Sequence, residues 1–367
     1  MAGTGLDHRF MAAALRLSAR HLGLTGTNPS VGTLIVRDDG AGPVIVGSGI
    51  TAPGGRPHAE TQALAEAGAR ARGATAYVTL EPCAHHGRTP PCAEALAAAG
   101  IVRVVGGASD PDPRVSGKGY AILRAAGIEV VEDVLAQEAA RLMAGYLIRS
   151  ARKRPEVCIK LAVSADGMIG RTGQGQAAIT GAVARAQVHL MRAASDAILI
   201  GIGTAVADDP ELTCRLRGLE RRSPLRIVLD PRARLPATSR LARTARDVPV
   251  LLAARPELAA EARGLTERGV EFIGVEMADG MIALPELLED LAARGIATLM
   301  VEGGAETVRH FLAEGLVDRI VLFTGPAAIG SGGIPAPIAR GRVPEGFALR
   351  CSGRYGDDLY EEWTRQS

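Results

Sequence analysis

The stretch His58-Ala59-Glu60, followed by Glu81-Pro82-Cys83 and then Cys92, organises the first part of this chain. Its His and two Cys side chains offer one imidazole nitrogen and two thiolates, which are ligands that zinc prefers in proteins. Residues this far apart in sequence can share one ion only if the segments between them fold back on each other. The pattern therefore predicts a zinc site held by His58, Cys83 and Cys92.

The spacing of these ligands distinguishes an open zinc site from a closed one. A catalytic site keeps one position for water and lowers the pKa of that water to about 7, whereas a structural site has four protein ligands, usually with closely paired cysteines. Here eight residues separate the two cysteines, and Glu60 follows His58 in the H-x-E…P-C pattern of zinc deaminases, where it would move protons. His85 and His86 are rival ligands that would close the site.

Composition gives the wider frame. A chain of 367 residues, 47% hydrophobic and 22% charged, is long enough for two domains. Its 42 basic and 40 acidic residues give no overall charge that indicates nucleic acid or an anionic membrane as partner. We find no leader pattern or membrane-spanning run, and the five cysteines fit a reducing compartment, so we expect a cytoplasmic protein.

Short apolar runs alternate with alanine-rich helical patterns, which predicts α/β layers around mostly parallel strands. In the first part we predict helices at 9–24, 60–72 and 92–99, and strands at 31–37, 44–50, 76–80 and 102–106. In the second part we predict strands at 156–163, 197–201, 225–229, 248–253, 298–301 and 320–323, and helices at 182–194 and 284–294. Pro155, after a cationic run, ends the preceding helix, and we place the domains at 1–148 and 149–367.

Longer motifs resemble one enzyme family. The loop Pro82-Cys83-Ala84-His85-His86-Gly87-Arg88-Thr89-Pro90-Pro91-Cys92 resembles a signature of the bifunctional deaminase/reductase of riboflavin biosynthesis. Segments 28–32 and 110–119 also match, and 160–167 resembles the opening of the family's reductase domain. The resemblance spans the chain and implies a cytidine-deaminase-like three-layer domain followed by a dihydrofolate-reductase-like domain.

The resemblance implies a zinc-dependent hydrolytic deamination in the first domain. Its substrate would be 2,5-diamino-6-(5-phosphoribosylamino)pyrimidin-4(3H)-one, and its product 5-amino-6-(5-phosphoribosylamino)uracil. Asn28 would hold the pyrimidine, while His85 and Arg88 would meet the phosphate or sugar. A guanidinium group suits this role because it can bind a phosphate with two hydrogen bonds.

For the second domain the resemblance implies reduction of the ribosyl side chain to ribityl by NADPH. Glycines that follow predicted strands, at 201–204 and 302–307, could form turns that receive phosphate. The resemblance assigns NADPH contacts to Ala162, Thr204, Asp208, Gly304, Ala305, Glu306, Thr307, Val308, Arg309 and His310. It assigns substrate contacts to Arg192, Leu212, Arg215 and Glu302, and proton transfer during sugar-ring opening to Lys160 and Glu302. Segment 176–180 departs from the family pattern and receives no role.

Two other functions stay open at this point. The chain could be a zinc deaminase of nucleic-acid bases with a C-terminal binding domain, although such enzymes use basic channels and aromatic stacking, and only 3% of these residues are aromatic. The zinc motif could instead be a structural knuckle in an interaction protein. We expect a small phosphorylated pyrimidine as substrate and neither nucleic acid nor membrane as partner. The family resemblance implies a homo-oligomer.

Overall fold

The structure is a computed structural model that describes residues 4–86, 90–173, 175 and 177–366. The chain divides into two compact units, Met1–Lys153 and Arg154–Ser367. The predicted boundary between residues 148 and 149 lies inside the helix Ala144–Arg152. Among the described residues, no helix has the length and apolarity needed to cross a lipid bilayer.

The first unit is a sheet packed against helices. Its strands are β1 (Gly32–Asp38), β2 (Pro43–Ile50), β3 (Thr75–Leu80), β4 (Arg103–Ala108) and β5 (Glu129–Val131). Its helices are α1 (Gly5–Ser18), α2 (Ala59–Ala67), α3 (Cys92–Ala98), α4 (Lys118–Ala125), α5 (Ala136–Leu142) and α6 (Ala144–Arg152). The strand order is β2-β1-β3-β4-β5, in which β1 pairs antiparallel with both neighbours and the remaining pairs are parallel.

Helix α2 carries part of the predicted zinc motif, and glycines let it approach the sheet. A Cβ atom on Gly49 of β2 would lie 2.0 Å from the carbonyl oxygen of Ala59, so only glycine allows this contact. The helix ends earlier than the predicted range 60–72 because Gly68 takes a positive φ of 54°, which breaks the helical backbone and which glycine adopts without strain. The chain continues from there as a 3₁₀ turn, Gly68–Ala71. The start of α2 is thereby fixed against β2.

The second unit is built on a larger sheet. Its strands are β6 (Glu156–Val163), β7 (Met168–Arg171), β8 (Ala197–Gly201), β9 (Leu225–Leu229), β10 (Val250–Ala254), β11 (Val270–Gly274), β12 (Met277–Ala278), β13 (Met281–Ile282), β14 (Thr298–Val301), β15 (Arg319–Thr324), β16 (Gly333–Pro335), β17 (Phe347–Tyr355) and β18 (Asp358–Arg365). Its helices are α7 (Ala182–Ala193), α8 (Ile202–Asp208), α9 (Arg240–Arg243), α10 (Arg263–Thr266), α11 (Leu284–Ala293) and α12 (Ala305–Ala313).

The main sheet of this unit has the strand order β11-β10-β9-β8-β14-β6-β15-β18-β17. The strands from β11 to β15 are parallel, and β18 and β17 continue the sheet antiparallel. This confirms the α/β class and, for this sheet, the expectation of mostly parallel strands. Side chains of β6 alternate between the two faces: Ile159 and Leu161 enter the main core, while Cys158 faces α7 in a second cluster. By that alternation Lys160 shares the α7 face.

Several elements are absent from the prediction. Helices α4 to α6 were not separated from their alanine- and glycine-rich surroundings, and β17 lacks alternating burial because most of its side chains are exposed. Helix α1 begins at Gly5 and ends at Ser18, earlier at both ends than the predicted range 9–24. The side chain of Thr4 caps its first turn by accepting a hydrogen bond from the amide of Asp7.

Candidate active sites

Three side chains of the first unit converge where two helices begin. His58 occupies the N-cap position of α2, Cys92 is the first residue of α3, and Cys83 lies in the loop after β3. The Nδ1 atom of His58 lies 3.8 Å from Sγ of Cys83 and 3.4 Å from Sγ of Cys92. Tetrahedral zinc with ordinary Zn–N and Zn–S bonds would separate its ligand atoms by roughly 3.5–3.8 Å. The arrangement therefore fits a zinc ion.

The hydrogen bonds of this cluster affect how readily its two thiols lose their protons. The amide of Cys92 donates to Sγ of Cys83 at 3.2 Å. Hydrogen bonds from Cys92 and from His58 lower the pKa of Cys83 to about 4. The hydrogen bond to Cys83, together with burial, raises the pKa of Cys92. One thiolate is thus formed readily, and the second is expected to form when a metal ion replaces its proton.

Glu60 lies in the first turn of α2, beside the cluster, and is only 4% exposed. Burial, and after it the negative charge of Cys83, raises the pKa of Glu60 to about 7. A carboxyl group with such a pKa can both accept and release a proton near neutral pH. The site therefore contains a proton carrier next to three metal ligands.

Neither rival histidine joins the cluster. Among the described residues, the group of His, Cys, Asp and Glu atoms close enough to share an ion consists of His58, Cys83 and Cys92. The exposed ring of His86 pairs with Glu94, with Nε2 and Oε2 3.4 Å apart. His85 lines the neighbouring cavity instead. Within the described part of the chain the arrangement leaves a coordination position open.

A cavity of about 210 Å³ opens on this cluster. It contains two of the predicted substrate residues, Asn28 and His85, whereas Arg88 lies outside the described residues. The Nδ1 atom of His85 is buried and has no hydrogen-bond partner among the described residues. Asn28 packs so closely on Gly55 that a Cβ atom there would lie 2.1 Å from its Nδ2. The cavity thus presents polar groups to a ligand.

The sequence analysis did not assign several residues that line this cavity. They are Arg56, Asp110, Asp112, Arg114, Tyr146, Arg149 and Ser150. The loop that carries three of them is held by Glu81, whose buried carboxylate accepts from the amides of Gly117 at 3.1 Å and Gly119 at 3.0 Å. The 110–119 motif was visible in the sequence. A carboxylate two residues before a metal ligand gave no signal that it would hold that loop.

In the second unit, two cations meet one carboxylate. Arg192 on α7 donates from Nε to Oε1 of Glu302 at 2.8 Å and from Nη2 to Oε2 at 3.0 Å. The Nζ atom of Lys160 lies 3.7 Å from Oε2 of the same carboxylate. Burial alone would raise the pKa of Glu302, but the charges of Arg192 and Lys160 hold it at about 2. Burial lowers the pKa of Lys160. The structure thus brings together three predicted site residues.

Two glycine-containing turns after β8 and β14 also meet. The amide of Gly304, the residue that precedes α12, donates to Oγ1 of Thr204 at 2.9 Å. Cβ atoms on Gly201 and Gly303 would lie 2.4 Å and 2.7 Å from Thr307, so the turns approach closely because both residues are glycine. The first amides of α12 have no partner within the helix and can receive an anion.

The other predicted cofactor residues lie around these turns. Asp208 ends α8, and burial raises its pKa. Val308 is buried in the main core, while Arg309 and His310 lie in the second turn of α12. Ala162 is partly buried on β6, on the face of Lys160. A cavity of about 420 Å³ adjoins the neighbouring segment Val163–Gly167. The cofactor contacts themselves stay predictions.

The segment after α8 carries the remaining predicted substrate residues. Leu212 is buried and has φ 57°, while Arg215 is exposed. Nη1 of Arg192 donates to the carbonyl of Thr213 at 3.1 Å, and the amide of Arg215 donates to Nδ1 of His189 at 3.3 Å. The segment is therefore tied to the Arg192–Glu302 pair.

Comparison with known families defines the class of each unit. Residues 5–108 match the family described as "Cytidine and deoxycytidylate deaminase zinc-binding region". Residues 155–357 match the family described as "RibD C-terminal domain". The chain is therefore an enzyme that joins a zinc-binding deaminase domain to a reductase domain.

Full-length relatives define the family. Riboflavin biosynthesis protein RibD of Aquifex aeolicus is 39% identical over 89% of this chain and 89% of its own length. The RibD structure of Acinetobacter baumannii superposes with a TM-score of 0.83, at 36% identity, covering 98% of this chain and 99% of the other. The Thermotoga maritima diaminohydroxyphosphoribosylaminopyrimidine deaminase/5-amino-6-(5-phosphoribosylamino)uracil reductase superposes with a TM-score of 0.84, at 32% identity and 98% coverage of both chains.

The chain belongs to the RibD family. It is a bifunctional deaminase and reductase of riboflavin biosynthesis, with zinc and NADPH as its cofactors. The predicted family, fold class, function and cofactors are confirmed. The roles of the individual residues stay predictions.

Proposed function

We propose that the first site deaminates the diaminopyrimidinone ribosylamine phosphate and that the second site then reduces the ribosyl chain of the product. The observation that carries this proposal is Glu60, buried beside three convergent zinc ligands and an adjoining polar cavity. The deaminase is assigned to the unit Met1–Lys153 and the reductase to the unit Arg154–Ser367. We further propose a cytoplasmic homo-oligomer that does not bind nucleic acid; the low number of cysteines, two of which are assigned to zinc, supports the reducing compartment.

In the first site, His58, Cys83 and Cys92 would hold the zinc ion. When bound, zinc makes a water molecule acidic enough to act as a nucleophile near neutral pH. Glu60 accepts the proton of the attacking water and delivers it to the amino nitrogen that leaves as ammonia. Its buried position and a pKa of about 7 suit both transfers. The net change is one water consumed, one C–N bond broken and one carbonyl formed.

Recognition of the substrate in this site is assigned to the polar groups of the cavity. The carboxamide of Asn28 both donates and accepts hydrogen bonds, as a pyrimidine edge requires. His85 offers a buried Nδ1 atom that has no partner among the described residues. With Arg88, it would meet the ribose or phosphate. The cationic Arg56 also lines the cavity and favours an anionic substrate, whereas the guanidinium of Arg114 is paired with Asp112.

In the second site, the turns of Thr204 and Gly304 would hold NADPH, which would supply a hydride there. Lys160 and Glu302 are assigned the proton transfer that opens the ribosylamine ring to an imine, whose C1 carbon is then reduced. A lowered pKa makes the ammonium of Lys160 a better acid. Arg192, Leu212 and Arg215 would contact the substrate. Arg192 also keeps the Glu302 carboxylate in place through two hydrogen bonds.

The decisive experiment supplies the diaminopyrimidinone ribosylamine phosphate with and without NADPH and identifies products by mass spectrometry. Glu60→Gln is expected to lower ammonia release by about 10²–10⁴-fold, the usual contribution of general acid–base catalysis, and to leave reduction of pre-deaminated substrate intact. Glu302→Gln is expected to lower the rate of reduction and to leave ammonia release intact. Glu66→Gln, an exposed change on the same helix α2 as Glu60, serves as control.

The proposed division of labour makes a sharp demand on these variants. If folded Glu60→Gln loses both activities, or if folded Glu302→Gln stops ammonia release, the assignment of one reaction to each unit is wrong. Zinc content measured in Glu60→Gln should equal that of the unmodified protein, because this carboxylate is not assigned as a ligand. A loss of zinc would move Glu60 into the ligand set.

A further inference from the structure

Arg226 on β9 is fully buried, although it carries a charge. Its Nη1 atom donates to the carbonyl of Glu211 at 3.0 Å and to Oγ1 of Thr244 at 2.8 Å. Its Nη2 atom donates to the carbonyl of Thr244 at 3.0 Å and to that of Val248. In the part of the chain that the structure describes, none of these acceptors is a carboxylate. Transferring a cation from water to such a site costs free energy, and the four hydrogen bonds offset part of this cost.

One of those contacts lies next to a strained residue. Glu211 precedes Leu212, whose φ of 57° lies in the left-handed region that side chains other than glycine rarely adopt. The residue after Leu212 is Thr213, whose carbonyl accepts a hydrogen bond from Arg192. Two guanidinium groups therefore hold the carbonyls on either side of Leu212. Strained backbone persists where surrounding contacts determine it from several directions.

The sheet register places Arg226 on the same face as the reductase site. Arg226 lies opposite Ile198 of β8, Ile198 opposite Met300 of β14, and Met300 opposite Cys158 of β6. Alternation along β6 puts Lys160 on the face of Cys158. The segment Glu211–Arg215 is thus held by Arg226 at one end and by Arg192, the partner of Glu302, in its middle.

We infer that Arg226 is a positioning residue of the reductase: by holding the carbonyl of Glu211 it keeps the buried Leu212 in the left-handed conformation that directs the following segment, with Arg215, towards the substrate. This inference rests on the proposed substrate role of those two residues. Arg226 does not touch the reacting atoms. It acts through the backbone that it holds.

The test is Arg226→Lys, assayed with pre-deaminated substrate and NADPH. Lysine keeps the charge but has three donors on one nitrogen, so it cannot reach all four acceptors. Losing a hydrogen bond from a charged group at Glu211 is expected to raise KM for the pyrimidine about tenfold. KM for NADPH should change less than about twofold, and ammonia release from the first unit should not change.

The control is Arg319→Lys, which alters another guanidinium of the same sheet. Arg319 pairs with Glu156 and lies on β15. It should lose stability, measured through the fluorescence of the single tryptophan, Trp363, without a change in KM for the pyrimidine. If Arg226→Lys loses comparable stability and keeps KM within about twofold, Arg226 is structural only and the inference is wrong.

If Arg226→Lys does not fold, Arg226→Gln is tested in its place. Failure of both variants to fold also assigns Arg226 to stability alone.

A double variant separates positioning from general loosening. Glycine adopts positive φ without strain, so in a Leu212→Gly background the effect of Arg226→Lys on KM should fall below about threefold. An undiminished effect would contradict action through Leu212. Leu212→Ala and Arg215→Lys are measured alone as well. If both leave KM unchanged, the proposed substrate role fails; if they raise KM while Arg226→Lys does not, only the inference about Arg226 fails.

Discussion

The two sites of this enzyme differ in the source of the cation that compensates their buried negative groups. In the first unit, ligands 34 residues apart or less meet at the starts of α2 and α3, and the cation comes from outside as zinc. In the second unit, Arg192 and Glu302 are 110 residues apart and the protein supplies its own cations. The first site therefore depends on a bound metal ion for its charge balance, whereas in the second site Arg192 on α7 and Lys160 on β6 compensate the charge of Glu302.

This difference predicts how each site fails. Removing a zinc ligand should disable the first site while leaving the second unit intact, because among the described residues the metal cluster contains none from that unit. Removing Glu302 should instead reduce the stability of the second unit, because it leaves the buried cations Arg192 and Lys160 without the carboxylate that they share. The predictions that follow are ordered by the size of the expected effect.

The largest effect is expected from Cys83→Ser. Serine is a poor zinc ligand at neutral pH because its hydroxyl stays protonated, so bound zinc should fall to background and ammonia release should stop. Zinc is measured by atomic absorption, and ammonia with a coupled assay. Reduction of pre-deaminated substrate in the same preparation is the internal control. An unchanged zinc stoichiometry would remove Cys83 from the ligand set, and a loss of reduction would break the contrast between the units.

The second prediction concerns acid stability. The pKa of Glu302 is held at about 2, below its usual 4.5, so its ionised form stabilises the folded state above pH 4.5 and this contribution disappears as the pH falls through about 2. The shift corresponds to about 3 kcal/mol. Glu302→Gln should therefore unfold at lower urea concentration at pH 7, with Trp363 fluorescence as the probe.

The pH dependence sharpens this prediction. The difference in free energy of unfolding between Glu302→Gln and the unmodified protein should be largest near pH 7 and shrink between pH 4.5 and pH 3. Glu289→Gln, an exposed change on α11, should show no such trend. A difference that stays constant with pH would mean that shape and packing, and not the ionised carboxylate, explain the loss.

The smallest effect is expected from His86→Ala. This side chain is 71% exposed and pairs with Glu94 on the surface, outside the three-residue metal cluster. Exposed ion pairs contribute little, so the free energy of unfolding should change by less than about 0.5 kcal/mol, with zinc content and ammonia release unchanged. Loss of zinc from this variant would show that a fourth ligand closes the site and would remove the open position on which deamination depends.

Much of the fold could be predicted where periodicity was strong. Strands predicted at 156–163, 197–201, 225–229 and 298–301 coincide with β6, β8, β9 and β14. These are buried runs of β-branched and aliphatic residues that a parallel sheet requires. The hairpin of β17 and β18 was missed because an edge strand with an exposed face does not need an apolar pattern.

The sites show the same contrast. His58, Glu60, Cys83 and Cys92 could be named in advance because metal chemistry restricts both residue type and spacing. The hydrogen bonds by which Glu81 fixes its loop could not be predicted from the sequence. Their donors are backbone amides, which nearly every residue type provides. The position of Arg226 was equally hidden, because its acceptors are three carbonyls and a hydroxyl from distant segments.

Residue order alone thus indicated the family and most strands of the parallel sheet, and it predicted the metal-ligating cluster and the carboxyl group beside it, because these depend on local chemistry and periodicity. The three-dimensional packing established the rest. It paired Glu302 with Arg192 as well as Lys160, put Leu212 between two guanidinium groups, and left His86 on the surface. Such contacts join residues far apart in the chain, and their energies depend on burial and distance, which no linear pattern encodes.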